Sequence, residues 1–431
     1  MLKKFMPIFL ILIPMIGYTF LMFYFSVDIP GFDDYAFLEH MNMSDNFFRY
    51  QHLFAQHNEH RIAWNRIMAE FCYFAFGKIN FEYLVCIGNL GLLFCFLLLL
   101  KISGKQKIPI MLFIPISYLI FQPQAWENVT WAMGSLQNYY VLFFALLALY
   151  FWNKKSFYGY VTAWIFGLMA IYTSANGLLI FMVLIIWQLT EFVEKYKIYF
   201  VSGQMGWLIE KRPPLLLIIS FLLTIFAYFI YFRGYHKPPY HPSMTAAILQ
   251  PMLLVKYTGT LLGSYMGKAF SFWTGLLVII IFLWLTYKRY DQRNPIIYYF
   301  MLFILLSVFI TALGRSGFGI EQALSSRYKT LSVLALALTY LALVESYSTP
   351  FSSRPVIFFL IFMATVFNIC STIISIQYLS SRKDMLITGM ATWQHSRQSL
   401  AFPSQEYASL LLDQSIKKGI YYPPGWRSNP P

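Results

Sequence analysis

Eleven stretches of this chain are long and apolar, with charge only at the ends of two of them (Glu82, Lys329 and Glu345): 5–26, 82–100, 108–122, 136–152, 158–174, 177–190, 214–232, 271–287, 296–313, 328–345 and 355–378. A helix needs about 20 apolar residues to cross the hydrocarbon core of a bilayer, and the shorter runs reach that length by borrowing neighbours. The runs are continuous rather than alternating, which excludes a β-barrel. In lipid the remaining way to satisfy the backbone is the helix. Composition agrees: 58% of residues are apolar and 12% charged, against roughly 25% charged in a soluble domain. The expected fold class is all-α, a polytopic membrane protein with about eleven transmembrane helices.

The net charge of +14 invites a nucleic-acid reading. The distribution rejects it, because the basic residues fall in short clusters after alternate runs: Lys3 and Lys4 before the first, then Lys101, Lys105 and Lys107, then Lys154 and Lys155, then Lys195, Lys197, Lys211 and Arg212, then Lys288, Arg289 and Arg293, then Arg354. The opposite turns at 123–135 and 175–176 carry none. By the positive-inside rule the N-terminus is cytoplasmic. The expected setting is a bacterial inner membrane with the C-terminus periplasmic. The first run is too long for a signal-peptide core and has no small-residue cleavage site, so it reads as an uncleaved span.

This orientation divides the chain into a transmembrane unit, 1–378, and a periplasmic tail, 379–431, whose Pro-Pro-Gly-Trp and final Asn-Pro-Pro suggest a loosely ordered end. Residues 27–81 form the first periplasmic loop, with interfacial helices. Residues 233–270, apolar over 243–270, are expected to lie at the outer interface or re-enter the membrane rather than cross it. Cys72, Cys86, Cys95 and Cys370 form no CxxC pair, so neither a disulfide framework nor a zinc site is expected.

The distinctive polar motifs all fall on the periplasmic side, where ionisable groups at membrane depth mark sites. Asp33-Asp34 follows the first span. The pair supplies either a general base or a helix N-cap before Tyr35, with Asp33 capping and Asp34 free. In Gln56-His57-Asn58-Glu59-His60-Arg61, a helix would place His57, His60 and Arg61 on one face. Substrate binding by Glu59 and Arg61 is favoured over metal binding by the histidines. The next turn contributes Glu127, Asn128 and Trp131, then Gln137, a set suited to hydrogen-bonding and stacking on a sugar. Asn176 lies in Ser174-Ala175-Asn176-Gly177. Arg315 and Arg327, the latter followed by Tyr328, bracket a glycine-rich turn. Arginine matches phosphate oxygens bidentately, and snorkelling to headgroups is the bland alternative.

A first span followed by an outer loop opening on paired acids resembles the GT-C superfamily of membrane glycosyltransferases. Asn58-Glu59-His60-Arg61, Glu127-Asn128-x-x-Trp131, Ser174-Ala175-Asn176-Gly177 and Ser326-Arg327-Tyr328 look like a bacterial group of that type, which includes or borders on phage-type serotype-converting O-antigen glucosyltransferases. The resemblance spans residues 1 to about 345 in layout and leaves the tail unmatched. It implies transfer of a sugar, a hexose such as glucose, from a polyprenyl-phosphate donor in the membrane lipid to O-antigen or another envelope glycan. By family position Asp33 or Asp34 is the base, Arg315 or Arg327 holds the phosphate, and Glu59 and Asn128 orient donor or acceptor. The family varies in metal use; no cofactor is expected, a divalent metal being the open alternative. An O-antigen polymerase shares the spans and outer arginines but carries its large outer loop late in the chain. A transporter calls for ionisable groups at mid-membrane and related halves, and the sequence has neither.

Overall fold

The structure, a computed structural model, describes residues 2–43, 46–106, 108–201, 215–239, 241–347, 351 and 353–426. Among these, nine helices are long and apolar enough to cross a membrane: Met6–Phe25, Phe81–Lys105, Ala132–Trp152, Ala175–Lys195, Leu215–Phe232, Ser264–Tyr287, Pro295–Phe318, Ser326–Ser346 and Arg354–Ser396. The protein is therefore an all-α polytopic membrane protein. Its only strands among the described residues form one two-stranded hairpin.

Two of the eleven apolar runs build shorter elements than a span. Residues 158–174 give the helix Phe157–Ile171. Residues 108–122 give a 3-10 turn at Ile110–Phe113 and a seven-residue helix, Ile114–Ile120. Yet this second run still carries the chain across the bundle. Helices Phe81–Lys105 and Ala132–Trp152 are parallel: Gly88 packs on Ser135, Gly91 on Tyr139 and Tyr140, and Lys105 on Tyr150. The segment between them must return, and a seven-residue helix rises only about 10 Å. The broken backbone is tolerated because protein encloses it. Asn368 Nδ2 donates to the Tyr118 and Phe121 carbonyls at 2.8 Å each, and Tyr340 OH to that of Leu112 at 2.8 Å.

Residues 244–262 form helices Met244–Ile248 and Pro251–Leu262. The second folds back on the helix Gly267–Tyr287 through Gly259, Gly263 and Gly275. A Cβ on Gly275 would stand 2.0 Å from the Gly259 carbonyl oxygen, so glycine is what lets these backbones meet. The turn after it bonds the start of the helix Lys329–Ser346, with Tyr265 N donating to Ser332 Oγ at 3.2 Å. Arg233 and Arg315 both touch the first-loop hairpin. The whole segment thus begins and ends at the end of the bundle that carries Asp33.

The last long helix, Arg354–Ser396, has 43 residues and no break at 378. At 1.5 Å per residue it is about 64 Å long, roughly twice the hydrocarbon core. Beyond the bundle it keeps one buried face, Leu379, Arg382, Leu386, Met390 and Trp393, at helical spacing. The tail is folded, not loose. A 13-residue helix, Gln405–Lys417, packs on Tyr35–Asn42. Phe32 N donates to Ala401 O at 2.6 Å, Ile79 N to Ile420 O at 2.8 Å, and Tyr421 OH to Asp28 O at 2.7 Å. Trp426 of the Pro-Pro-Gly-Trp stacks on Trp393. The final Asn-Pro-Pro lies outside the described residues. What orders this end is hydrogen bonding to the first loop rather than local propensity.

Candidate functional site

The paired acids sit on a single 3-10 turn, Phe32–Asp34. Phe32 has φ 53°, a left-handed conformation that costs a bulky residue about 1–2 kcal/mol. Its bond to Ala401 and the edge-on contact with Trp131 hold it there. Trp131 also donates from Nε1 to the Gly31 carbonyl at 3.1 Å. The turn sends the two carboxylates in different directions, and the expectation that Asp33 caps while Asp34 is free is reversed. Asp34 is buried and accepts the N–H of Met133 at 2.8 Å and of Gly31 at 3.2 Å. It reaches back to the chain three residues before it, as an N3 acid does in a capping box. Asp33 keeps 36% of its side chain exposed, with His57 Nε2 and Asn58 Nδ2 each 3.4 Å from Oδ1.

Their acidities diverge accordingly. Burial pushes Asp34 up to about 7, against the pull of the Met133 N–H, the Arg382 charge and the Gly31 N–H. Burial would also raise Asp33. The hydrogen bond and charge of His57, with Arg327 and His60 behind, outweigh it and leave Asp33 below the usual carboxylate range. Asp33 is the acid that stays ionised at neutral pH.

The motif 56–61 is a tight β-hairpin, not a helix. Gln56 pairs with Arg61 and His57 with His60. Asn58 supplies the left-handed corner with φ 49°, a conformation asparagine tolerates. Residues directly opposite in such a pair share a face, so His57 and His60 still lie together while Arg61 leaves them. Arg61 is a strut. Its guanidinium donates to three carbonyls, Phe54 at 2.6 Å, Tyr231 at 2.7 Å and Arg233 at 2.6 Å, which corrects its reading as a substrate ligand. His60 Nδ1 accepts the Ala175 N–H at 3.0 Å. Any proton on a neutral His60 is therefore on Nε2, which faces Glu59 Oε1 at 3.5 Å. Glu59 also pairs with Arg315 and lies 3.4 Å from His241 Nε2. Burial would raise Glu59, but the charges of His60 and Arg315 hold it below its ordinary value.

Glu127 and Asn128 organise the turn that carries Arg327. Glu127 accepts the Arg327 N–H at 3.1 Å and the Ser326 hydroxyl, and lies 3.5 Å from the Arg327 guanidinium. Asn128 is fully buried. It donates to the Arg327 carbonyl at 2.9 Å and to Thr330 Oγ1 at 3.0 Å, and accepts from Asn138 at 2.8 Å. Its amide is committed to the fold, not open to a ligand as expected. Arg327 is different: 45% of its side chain is exposed, and its guanidinium lies 5.9 Å from the Trp131 ring centroid. Tyr328 is within electrostatic reach of both Arg315 and Arg327. Gln137 Nε2 and Asn176 Oδ1 are buried without a hydrogen-bond partner among the described residues. Among the described residues no group of three or more His, Cys, Asp or Glu side chains could hold a metal ion.

The fold thus gathers Asp33, His57, Glu59, His60, Arg315 and Arg327 from segments up to about 300 residues apart. Among all the polar residues singled out in the sequence, it leaves some engaged by the protein (Asp34, Arg61, Asn128) and others with bonding capacity left (Asp33, Gln137, Asn176, Arg327). One charged residue escaped the sequence reading: Arg382, on the long helix and 6% exposed, is within electrostatic reach of Asp34 and Glu127. The signal that finds it is the helical spacing of Leu379, Arg382, Leu386 and Trp393 past the last apolar run. Compared with known proteins, the chain matches no family model, no curated protein and no solved structure.

Proposed function

We propose that the protein is an inner-membrane glycosyltransferase of GT-C type, with a cytoplasmic N-terminus and a periplasmic site. It moves a sugar, a hexose such as glucose, from a polyprenyl-phosphate donor to O-antigen or another envelope glycan. The observation that carries the reading is the pairing of functions around Asp33. An ionised, accessible carboxylate stands within electrostatic reach of Arg327, whose guanidinium is half exposed at the end of a membrane-spanning helix.

In the proposed reaction the acceptor hydroxyl oxygen attacks the anomeric carbon and Asp33 takes its proton. The bond from that carbon to the phosphate oxygen breaks, and the polyprenyl phosphate leaves with the bonding pair. Arg327 balances the charge gathered on the phosphate, which a planar fork does better than a point charge. Gln137 and Asn176 offer an amide donor and an acceptor to sugar hydroxyls. His57 orients Asp33, and the Glu59–Arg315 pair with His60 fixes the hairpin behind it.

The test is mass spectrometry of surface polysaccharide from strains carrying the wild-type gene, a deletion and Asp33→Asn. Loss of a side-branch sugar in the deletion and in Asp33→Asn, with the variant present in the membrane at wild-type amount, is the expected result. Full sugar addition by Asp33→Asn overturns the assignment. Loss of chain length instead points to a polymerase.

A further inference from the structure

We infer that Arg382 forms a phosphoryl-binding subsite with Arg327 around Trp131, so that the C-terminal helix supplies part of the donor site. This rests on the reading above and names a residue that reading does not use.

Arg382 is 6% exposed, yet it donates no hydrogen bond among the described residues, and its Nε is buried without an acceptor. A guanidinium carries five N–H donors, and taking one out of water without filling them is costly. The two carboxylates within electrostatic reach are already engaged. Both oxygens of Asp34 accept backbone N–H groups, and Glu127 accepts from Ser326 and the Arg327 backbone. They balance the Arg382 charge without filling its donors.

Two aromatic rings lie beside the guanidinium. The Arg382 guanidinium lies 5.9 Å from the Phe32 ring centroid and 6.0 Å from that of Trp131, the ring that Arg327 also approaches. Gly31 leaves the space: a Cβ there would come 3.6 Å from Arg382 Nη2 and 2.9 Å from Leu386. Lys383, the next residue, points elsewhere, donating to the Tyr24 carbonyl at 2.6 Å. A phosphoryl group presents several strong acceptors that a guanidinium fork meets two at a time. The chemistry is shared by a lipid phosphate and by free phosphate, and the test separates them.

Full-length protein in nanodiscs is titrated with farnesyl phosphate, inorganic phosphate and the uncharged farnesol, each read by ligand-induced thermal stabilisation. Wild type is expected to bind farnesyl phosphate most tightly. Arg382→Gln should weaken farnesyl phosphate at least tenfold and leave farnesol unchanged. Arg382→Lys keeps the positive charge beside Asp34, so it serves if the glutamine variant does not fold, and it should still lose severalfold because the fork is gone. Inorganic phosphate bound as tightly as farnesyl phosphate, in an Arg382-dependent way, supports an anion subsite that ignores the lipid. Farnesyl phosphate bound equally by wild type and the folded Arg382 variants overturns the inference, and so does failure of wild type to bind either phosphate. The two ideas fail separately. An inactive Asp33→Asn with Arg382-independent binding removes only the subsite, whereas an active Asp33→Asn with Arg382-dependent binding removes only the transferase.

Discussion

Asp33 and Asp34 are adjacent, and their carboxylates live in different media. Asp34 Oδ1 takes the Met133 N–H at 2.8 Å inside the bundle, while Asp33 Oδ1 meets His57 Nε2 at 3.4 Å near the surface. A one-residue step along a 3-10 turn separates a buried structural tie from a partly exposed carboxylate.

Asp34 makes stability depend on pH. Its carboxyl titrates at about 7 in the folded protein against an ordinary value of 3.8. Between those values the folded state holds a proton that the unfolded chain has released, so stability falls as pH rises through that window. The melting temperature in detergent should climb as pH drops from about 7 toward about 4. Asp34→Asn, which carries no titrating proton, should flatten that slope. Asp33 lies below the usual range, so the acid limb of the transfer rate should fall below the ordinary carboxylate region and vanish in Asp33→Asn. Removing a general base typically costs ~100- to 10,000-fold.

Arg61 and Arg327 should respond oppositely to lysine. Arg61→Lys cannot serve the three carbonyls that the guanidinium spans, and a loss of about 1–3 kcal/mol is expected. Specific activity per folded molecule should survive. Arg327→Lys should leave the melting temperature within a degree or two and lower transfer roughly 10- to 100-fold. Thermal melts paired with a radiolabelled-sugar transfer assay distinguish the two patterns.

The fold-back at residues 251–287 depends on bare backbone. Gly263→Ala would drive a methyl group to 1.9 Å from the Ser271 carbonyl oxygen, and Gly275→Ala one to 2.0 Å from that of Gly259. Each should cost about 1–3 kcal/mol through overpacking. Gly104, which has nothing within 4 Å of its added methyl, should accept alanine without loss. Chemical unfolding in mixed micelles measures all three.

Truncation after Ser396 removes Ala401, Leu411, Ser415, Ile420 and Tyr421, which bond Phe32, Asn42, Ile79 and Asp28. Residues 27–81 should then become protease-sensitive in intact spheroplasts, and transfer should be lost although every acid and arginine up to Arg382 is present. Limited proteolysis with mass mapping checks this.

The sequence made the spans legible because lipid demands continuous apolar runs, and that signal is local. It also brought the outer motifs to one end. It could not apportion Asp33 and Asp34, since their roles depend on Met133, about a hundred residues away. Helix Ile114–Ile120 reads like a span because protein surrounds it as lipid would. Arg61 and Asn128 look like ligands in the sequence, and only their acceptors, at Tyr231 and Thr330, reveal them as struts. Arg382 was hidden because charged neighbours end the apolar run at 378, while the buried face continues at helical spacing.

The bond between Phe32 and Ala401 also sets an order of events during synthesis. The first loop leaves the ribosome early, and its partner, residues 401–421, is translated more than 300 residues later. Until then Phe32 lacks one of the two contacts that hold its left-handed backbone, and only Trp131 steadies the turn that carries Asp33. A nascent chain halted before Ala401 therefore carries all the motifs while the turn at Phe32–Asp34 still lacks its bond to the tail. The finished geometry of the acidic turn becomes a property of chains read through to that point.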